Sequence, residues 1–243
     1  MTVSQARLNA LMEAIGGHEK AEVEFFRALL DAIVYAHVPP SDDSGRLRFI
    51  QFIAPEGDTL LPFFTDQAKA DFAARGHAKV VAMTGRELFS ITLGATLIMN
   101  PNDRWCRLYP HELLALLQRG DMPPVDQTDL STHGSVGFTR PAPLCQEDMR
   151  ALRDAVANVG HVRKAFLADL HTDQSENPET ALAVIVPKEH DERVCRSLVA
   201  VLRGTSPKPG FPSGVMALNS AEDLPDGLET VAILLYDAAA GLN

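Results

Sequence analysis

Apolar residues open the chain at helical spacing. Leu8, Leu11, Met12 and Ile15 share one face, and Gly16-Gly17 end the run. A second amphipathic stretch starts near residues 18–20 and sets Val23, Phe26, Leu29, Leu30 and Ile33 on one stripe. Glu19, Glu22 and Glu24 lie in its first turns, where the positive end of the helix dipole favours negative charge. The period then shortens. Residues 33–38 close at Pro39-Pro40, residues 47–53 follow a polar turn at 41–45, and residues 59–64 follow Pro55-Glu56-Gly57-Asp58. The pattern predicts an antiparallel meander of three strands.

Helices and strands then alternate. Thr65 or Asp66 caps a helix that runs to about Arg75 and closes at Gly76. Residues 79–83 read as a strand, and Thr84 caps a short helix through Phe89. A strand at 96–99 leads through the turn Asn100-Pro101-Asn102-Asp103 to an edge strand at 104–108. Pro110 suits the first position of a helix that carries Leu113, Leu114, Leu116 and Leu117 and ends at Gly120. Residues 121–143 hold Pro123, Pro124, Pro141 and Pro143 and no sustained period, which predicts a linker or long loop.

Beyond it a helix is expected over 146–158, with Met149, Leu152, Val156 and Val159 inward. Strands follow at 161–170 and 181–186, then a helix with Val194, Leu198, Val201 and Leu202, then strands at 213–218 and 231–236. This order predicts two helices covering one face of a mainly antiparallel sheet. The fold class expected is α+β: two small mixed α/β domains, each a mainly antiparallel or mixed sheet with helices packed on it. The expected division is 1–120, a linker at 121–143, and 144–243.

Composition narrows the function classes. The 243 residues are 46% hydrophobic and 22% charged, as in an ordinary globular protein, with a net charge of −10. Nucleic acid and anionic membranes are therefore poor partners, since both demand clustered Lys and Arg. The acidity is uneven: residues 146–243 hold nine basic and fifteen acidic side chains, −6 of the total.

Cys106, Cys145 and Cys195 form no CxxC pair, so each is expected to be a buried or half-buried apolar residue. The first residues lack the basic-then-apolar order of a signal peptide, and no apolar run reaches 18 residues. The expectation is a cytosolic, reduced protein.

Candidate chemistry is thin. The histidines, His18, His37, His77, His111, His133, His161, His171 and His190, show no HExxH or HxH spacing, so a metal site would need ligands from distant loops. Glu189-His190-Asp191-Glu192 reads as an acidic helix start after Pro187. His133-Gly134-Ser135-Val136-Gly137 places Ser beside Gly, but the spacing and loop context do not match a nucleophile elbow. The stretch from Gly204 to Gly210 holds two prolines where a phosphate loop needs free N–H groups, so it is a turn. Phe25, Phe26, Phe49, Phe52, Phe63, Phe64, Phe72 and Phe89 point to a core around the first sheet, and Trp105 suits core or surface equally. No catalytic, cofactor-binding or metal-ligating residue is assigned.

Taken together, the N-terminal landmarks are more specific. They are Glu24-Phe25-Phe26-Arg27-Ala28-Leu29-Leu30, Val34-Tyr35, Leu61-Pro62-Phe63-Phe64-Thr65-Asp66, Leu88-Phe89, Leu97-Ile98-Met99-Asn100-Pro101, and Glu112-Leu113 with Leu116-Leu117. In this order they resemble the N-terminal domain of the SseB family, the bacterial enhanced serine sensitivity proteins, over most of residues 5–118. Residues from 151 onward resemble that family's C-terminal domain by hydrophobic pattern. Asp66 stands where the family usually has serine, and Asn102-Asp103 departs from its common turn. The resemblance implies a link to serine sensitivity but no reaction, cofactor or catalytic residue.

The function expected is a non-enzymatic cytosolic binding or regulatory protein with a protein partner. One alternative is a small-molecule or enzyme site between the two domains, drawing on Arg86, Tyr109, His111 or Glu112. Another is an acidic inhibitor, of the immunity type, that covers a basic protein. No cofactor, nucleic acid or membrane is expected.

Overall fold

A computed structural model describes residues 3–14, 19–41, 46–55, 57–103, 106–120, 122, 136–173, 177–204, 208–220, 224–225 and 227–242. The readings made for His18, Trp105, His133 and Ser135 lie outside these residues. The chain divides into two units, Met1–Pro124 and Val125–Asn243. The fold is α+β, built on two mixed sheets.

The first unit runs α1 (Gln5–Ala14), α2 (Glu19–Asp31), β1 (Ile33–Val38), β2 (Phe52–Ile53), β3 (Thr59–Phe64), α3 (Gln67–Ala74), β4 (Lys79–Thr84), α4 (Gly85–Ile91), β5 (Thr96–Met99), β6 (Cys106–Leu108) and α5 (Pro110–Arg119). The strands lie in the order β4-β1-β3-β5-β6, and β2 pairs with β3. The α2 stripe buries Phe25, Phe26, Leu29 and Leu30 in one cluster with Val34 and Ala36 of β1, Leu61 and Phe63 of β3, and Leu97 and Met99 of β5. Leu88 and Phe89 of α4 and Leu113 and Leu116 of α5 complete that core. Each Val, Leu, Phe or Met of this core contributes roughly 1.5–3 kcal/mol on burial. The two-residue period of the strands sends Leu60 and Ile98 to the opposite face, where they cluster with Ala54.

The three-strand meander is not what forms. Residues 47–51 are not strand, and β1 pairs directly with β3 at Tyr35↔Phe64 and Ala36↔Phe63. The short β2 takes over the same side of β3 at Phe52↔Leu60 and Ile53↔Thr59. Leu61 and Pro62 fall between the two registers. Proline has no N–H to give a ladder, so it fits where a strand's neighbour changes.

Local signals set the helix ends. Asp66 accepts from Lys69 N at 3.2 Å and caps α3. Gly120, left-handed at φ 75, closes α5. Thr84 and Glu87 form a capping box: Glu87 N donates to Thr84 Oγ1 at 3.2 Å, and Thr84 N donates to a Glu87 carboxylate oxygen at 2.8 Å. Hydrogen bonds from the Thr84 backbone and hydroxyl hold the Glu87 carboxyl below its ordinary 4.5. A lowered carboxyl adds stability above its unfolded value and loses it as pH falls through the folded one. By NMR titration Glu87 should therefore titrate below pH 4.5, and Thr84→Ala should return it toward that value. An unchanged titration in Thr84→Ala would contradict the capping role.

The second unit runs β7 (Val136–Thr139), α6 (Gln146–Val159), β8 (Lys164–Thr172), β9 (Glu179–Ile185), a 3-10 turn (Lys188–His190), α7 (Asp191–Leu202), β10 (Gly214–Leu218), α8 (Leu228–Val231) and β11 (Ile233–Asp237). Its order is β10-β9-β8-β11; β9 and β10 are parallel, joined through α7, and the other pairs are antiparallel. Leu152, Val156, Val194, Leu198 and Leu202 from the two long helices pack on Ala165, Leu167, Leu182 and Val184. On the other face Phe166, Ala183 and Ile185 pack with Leu218 and Leu228. Burial on both faces explains why residues 181–186 carry no polar alternation.

Part of the expected linker is strand. Residues 136–139 form β7 against β8, from Val136↔Thr172 to Thr139↔Asp169. The rest of residues 123–135 lie outside the described residues. Strand β8 starts at Lys164, later than expected, because Gly160 and His161 are both left-handed (φ 76 and 61) and turn the chain first. Among the described residues no helix is long and apolar enough to cross a membrane.

Candidate functional site

Strands β3 and β5 run parallel, so their carboxyl ends and the turns that follow them lie side by side. There the chain places Thr65 and Asn100, both buried. Thr65 N donates to Asn100 Oδ1 at 3.1 Å, and Asn100 Nδ2 donates to Thr65 Oγ1 at 3.1 Å. Asn100 N also donates to Phe63 O at 2.9 Å, and Asp103 N donates to Asn100 O at 2.9 Å. Asn100 has φ 45, a left-handed conformation that Asn tolerates better than most residues. The two sequence landmarks ending in Thr65-Asp66 and Asn100-Pro101 are thus one structural unit.

Helix α3 packs over this end of the sheet. Its inward residues are Ala70 and Ala74, and His37 Nε2 lies 2.9 Å from Ala70 O. The small alanines let the helix sit close and turn Phe72 outward. Phe64, Lys69, Phe72, Asn100, Asn102 and Asp103 line a groove of about 180 Å³. An adjoining groove of about 290 Å³ is floored by Ala54, Leu60 and Ile98 and edged by Phe52, Asn102 and Arg107. Asn102 belongs to both. Phe52 is 40% exposed and Phe72 72%, so two large aromatic side chains stand in solvent at these grooves; Ile53, 74% exposed, follows Phe52 on β2 and faces the other side of the strand.

This corrects the expectation that all eight N-terminal phenylalanines serve the core. Phe25, Phe26, Phe63, Phe64 and Phe89 are buried; Phe52 and Phe72 are not. On the rim Lys69 Nζ meets Asp103 Oδ2 at 2.8 Å, a surface pair worth roughly 0.2–1 kcal/mol. Thr65 and Asn100 satisfy each other, so the grooves present a partner with apolar area and shape.

Three of the four residues drawn on for an enzyme reading, Arg86, Tyr109 and Glu112, have structural tasks. Tyr109 is buried, and its N–H donates to Glu112 Oε2 at 2.8 Å across the first turn of α5, which also carries His111. Arg86 faces Asp31 at 3.7 Å. In the second unit the acids are spread over several elements. Asp148, Asp154, Asp237 and Glu192 each lie within 4.0 Å of a basic side chain, namely Lys208, Arg150, Lys164 and Arg196.

The cysteines differ from one another. Burial, with Asp191 nearby, pushes the Cys195 thiol up to about 12. Cys145 is exposed, contrary to expectation, because it occupies the N-cap of α6, where its sulfur accepts from Asp148 N at 3.4 Å. Since the thiolate is the nucleophile, a maleimide at pH 7 should modify Cys145 rapidly and Cys195 only after denaturation, as read by peptide mass spectrometry. Equal native labelling of the two would contradict this placement.

Comparison with known proteins adds a family. Residues 8–115 match the family model described as the SseB protein N-terminal domain. The chain is 23% identical over 194 residues to Protein SseB of Escherichia coli strain K12, covering 76% of this chain and 74% of that protein. The match to Protein SseB of Shigella flexneri has the same identity and coverage. No solved structure gives a significant match.

Proposed function

From the match of residues 8–115 to the SseB N-terminal domain and the similarity to Protein SseB, we propose a non-enzymatic binding or regulatory protein of the SseB family whose N-terminal unit docks a protein partner. One observation carries the reading. Phe52 and Phe72 are exposed around adjoining grooves whose floor is already apolar. Large apolar side chains grouped at the surface are characteristic of interaction sites, and aromatic anchors in such patches dominate binding energy. The mixed charges of Lys69 and Asp103 on the rim suit a partner that is apolar at its centre and polar around it.

We further propose a cytosolic location; the exposed free thiol of Cys145 supports it, since such a thiol persists in a reducing compartment. A link to serine sensitivity rests on the family resemblance.

The test is affinity purification from native cytosol with the parent chain, Phe72→Asp and Phe52→Asp. Phe72 is 72% and Phe52 40% exposed, so circular dichroism melting should show both variants folded. A stoichiometric partner recovered by the parent should be lost from both variants. A partner retained by both would overturn the assignment.

A further inference from the structure

Strand β4 ends the first sheet, and among the described residues nothing pairs with its outer side. It joins β1 along its whole length, from Ile33↔Thr84 to Val38↔Lys79, without a bulge. The strand at the opposite edge, β6, has only three residues. The direction of each backbone group on β4 follows from its neighbours. Gly85 N donates to Ala32 O, so antiparallel alternation makes Val34–Met83, Ala36–Val81 and Val38–Lys79 the hydrogen-bonded pairs. Ile50 N donates to His37 O on the other side of β1, which agrees with that alternation. Val80 and Ala82 therefore turn both N–H and C=O outward. The Thr84 N–H also points outward, and there the Glu87 carboxylate accepts it at 2.8 Å. In chain order the edge carries the exposed Lys79, the open groups of Val80 and Ala82, and then a carboxylate.

We propose that this edge pairs with β4 of a second copy of the chain, antiparallel and about a two-fold axis. A regular edge strand with no proline and no bulge is a template for another strand. Two features select a second copy as that strand. The first is charge. The edge is basic at its start and acidic at its end, so antiparallel pairing with itself sets each Lys79 toward the Glu87 end of the other copy. Opposite charges so placed fix orientation and register, whereas parallel pairing would bring like charges together. The second is hydrogen bonding. When Val80 of one copy faces Ala82 of the other, two symmetry-related pairs form, and each exchanges both of its N–H···O bonds. A register one step further on would need the Thr84 N–H, which Glu87 already holds. The axis then passes between the two Val81 residues, a β-branched pair suited to cross-strand packing. No residue of β4 lines the two grooves, so this pairing stands apart from the docking of another protein there.

The experiment is sedimentation velocity of the full chain over a wide concentration range, repeated on Ala82→Pro. Proline at 82 removes an outward N–H and no bond of the β1 ladder, and circular dichroism melting confirms the fold. The parent should pass from monomer to dimer as concentration rises, with self-association weakened about tenfold or more in Ala82→Pro. A second variant, Val81→Cys in a Cys145→Ser background, does not depend on the proline. Residues facing each other in a non-hydrogen-bonded antiparallel pair have Cα atoms about 4.5 Å apart, within disulfide reach. Mild oxidation should therefore give a covalent dimer on a non-reducing gel, and Arg150→Cys in the same background should not. Three results would overturn the pairing: a monomeric parent throughout, Ala82→Pro as dimeric as the parent, or equal crosslinking from positions 81 and 150.

Discussion

Gly85→Ala should lower the stability of the N-terminal unit by about 3 kcal/mol or more, the upper end of what overpacking by one methyl produces. A Cβ built at Gly85 falls 2.1 Å from Leu29 O and 3.0 Å from Leu29 C. These are backbone atoms of α2, so no side-chain rotation relieves the overlap. Gly85 N also donates to Ala32 O at 2.9 Å, which ties the start of α4 to the chain just after α2. Relief requires moving α4 outward, and Leu88 and Phe89 leave the core with it. Urea unfolding followed by circular dichroism should show the lower midpoint. Gly214→Ala is the control: nothing lies within 4 Å of a Cβ there, and its change should stay within about 0.5 kcal/mol. A parental midpoint for Gly85→Ala would mean that α2 and α4 do not approach as described.

Asn100→Ala comes next, at about 3 kcal/mol. The substitution removes the acceptor for Thr65 N and the donor to Thr65 Oγ1 in a fully buried setting. A buried polar group left unsatisfied costs about 1–3 kcal/mol. Alanine must also hold the left-handed φ of 45, for about 1 kcal/mol more. Asn100→Gly separates the two contributions, because glycine adopts that backbone freely but supplies no amide. It should be about 1 kcal/mol more stable than Asn100→Ala and still well below the parent in urea midpoint. Equal midpoints for all three proteins would remove the Thr65–Asn100 pair from the account of this strand end.

What the sequence made legible was local. Thr84 and Glu87 stand three apart, Pro110 and Gly120 bracket a leucine-rich run, and the α2 stripe repeats at helical spacing; each signal lies within one turn of the element it sets. The pairing of β1 with β3 was not legible, because residues 47–53 carry strand-like composition and the register depends on where Pro62 must sit. Strand β7 is four residues long, and its ladder to β8 is made far along the chain.

The candidate site was half legible. The residues around Thr65 and Asn100 stood out as family landmarks, yet only the parallel pairing of β3 and β5 shows that they touch. Phe72 misled for a physical reason. Aromatic content suggests core, but the inward positions of α3 are Ala70 and Ala74, and a two-residue offset on a helix turns a side chain away from them.

The central claim is that Phe52 and Phe72 form a docking surface for a protein partner. Its most direct test is site-specific photo-crosslinking in living cells, with a photoreactive residue at position 72 or 52 of the full chain. The control position is 150 in the second unit, where the Arg150 side chain is 82% exposed. One discrete crosslinked adduct is expected from positions 72 and 52 and none from 150. Equal crosslinking at all three positions, or none at 72 and 52, would contradict the docking surface.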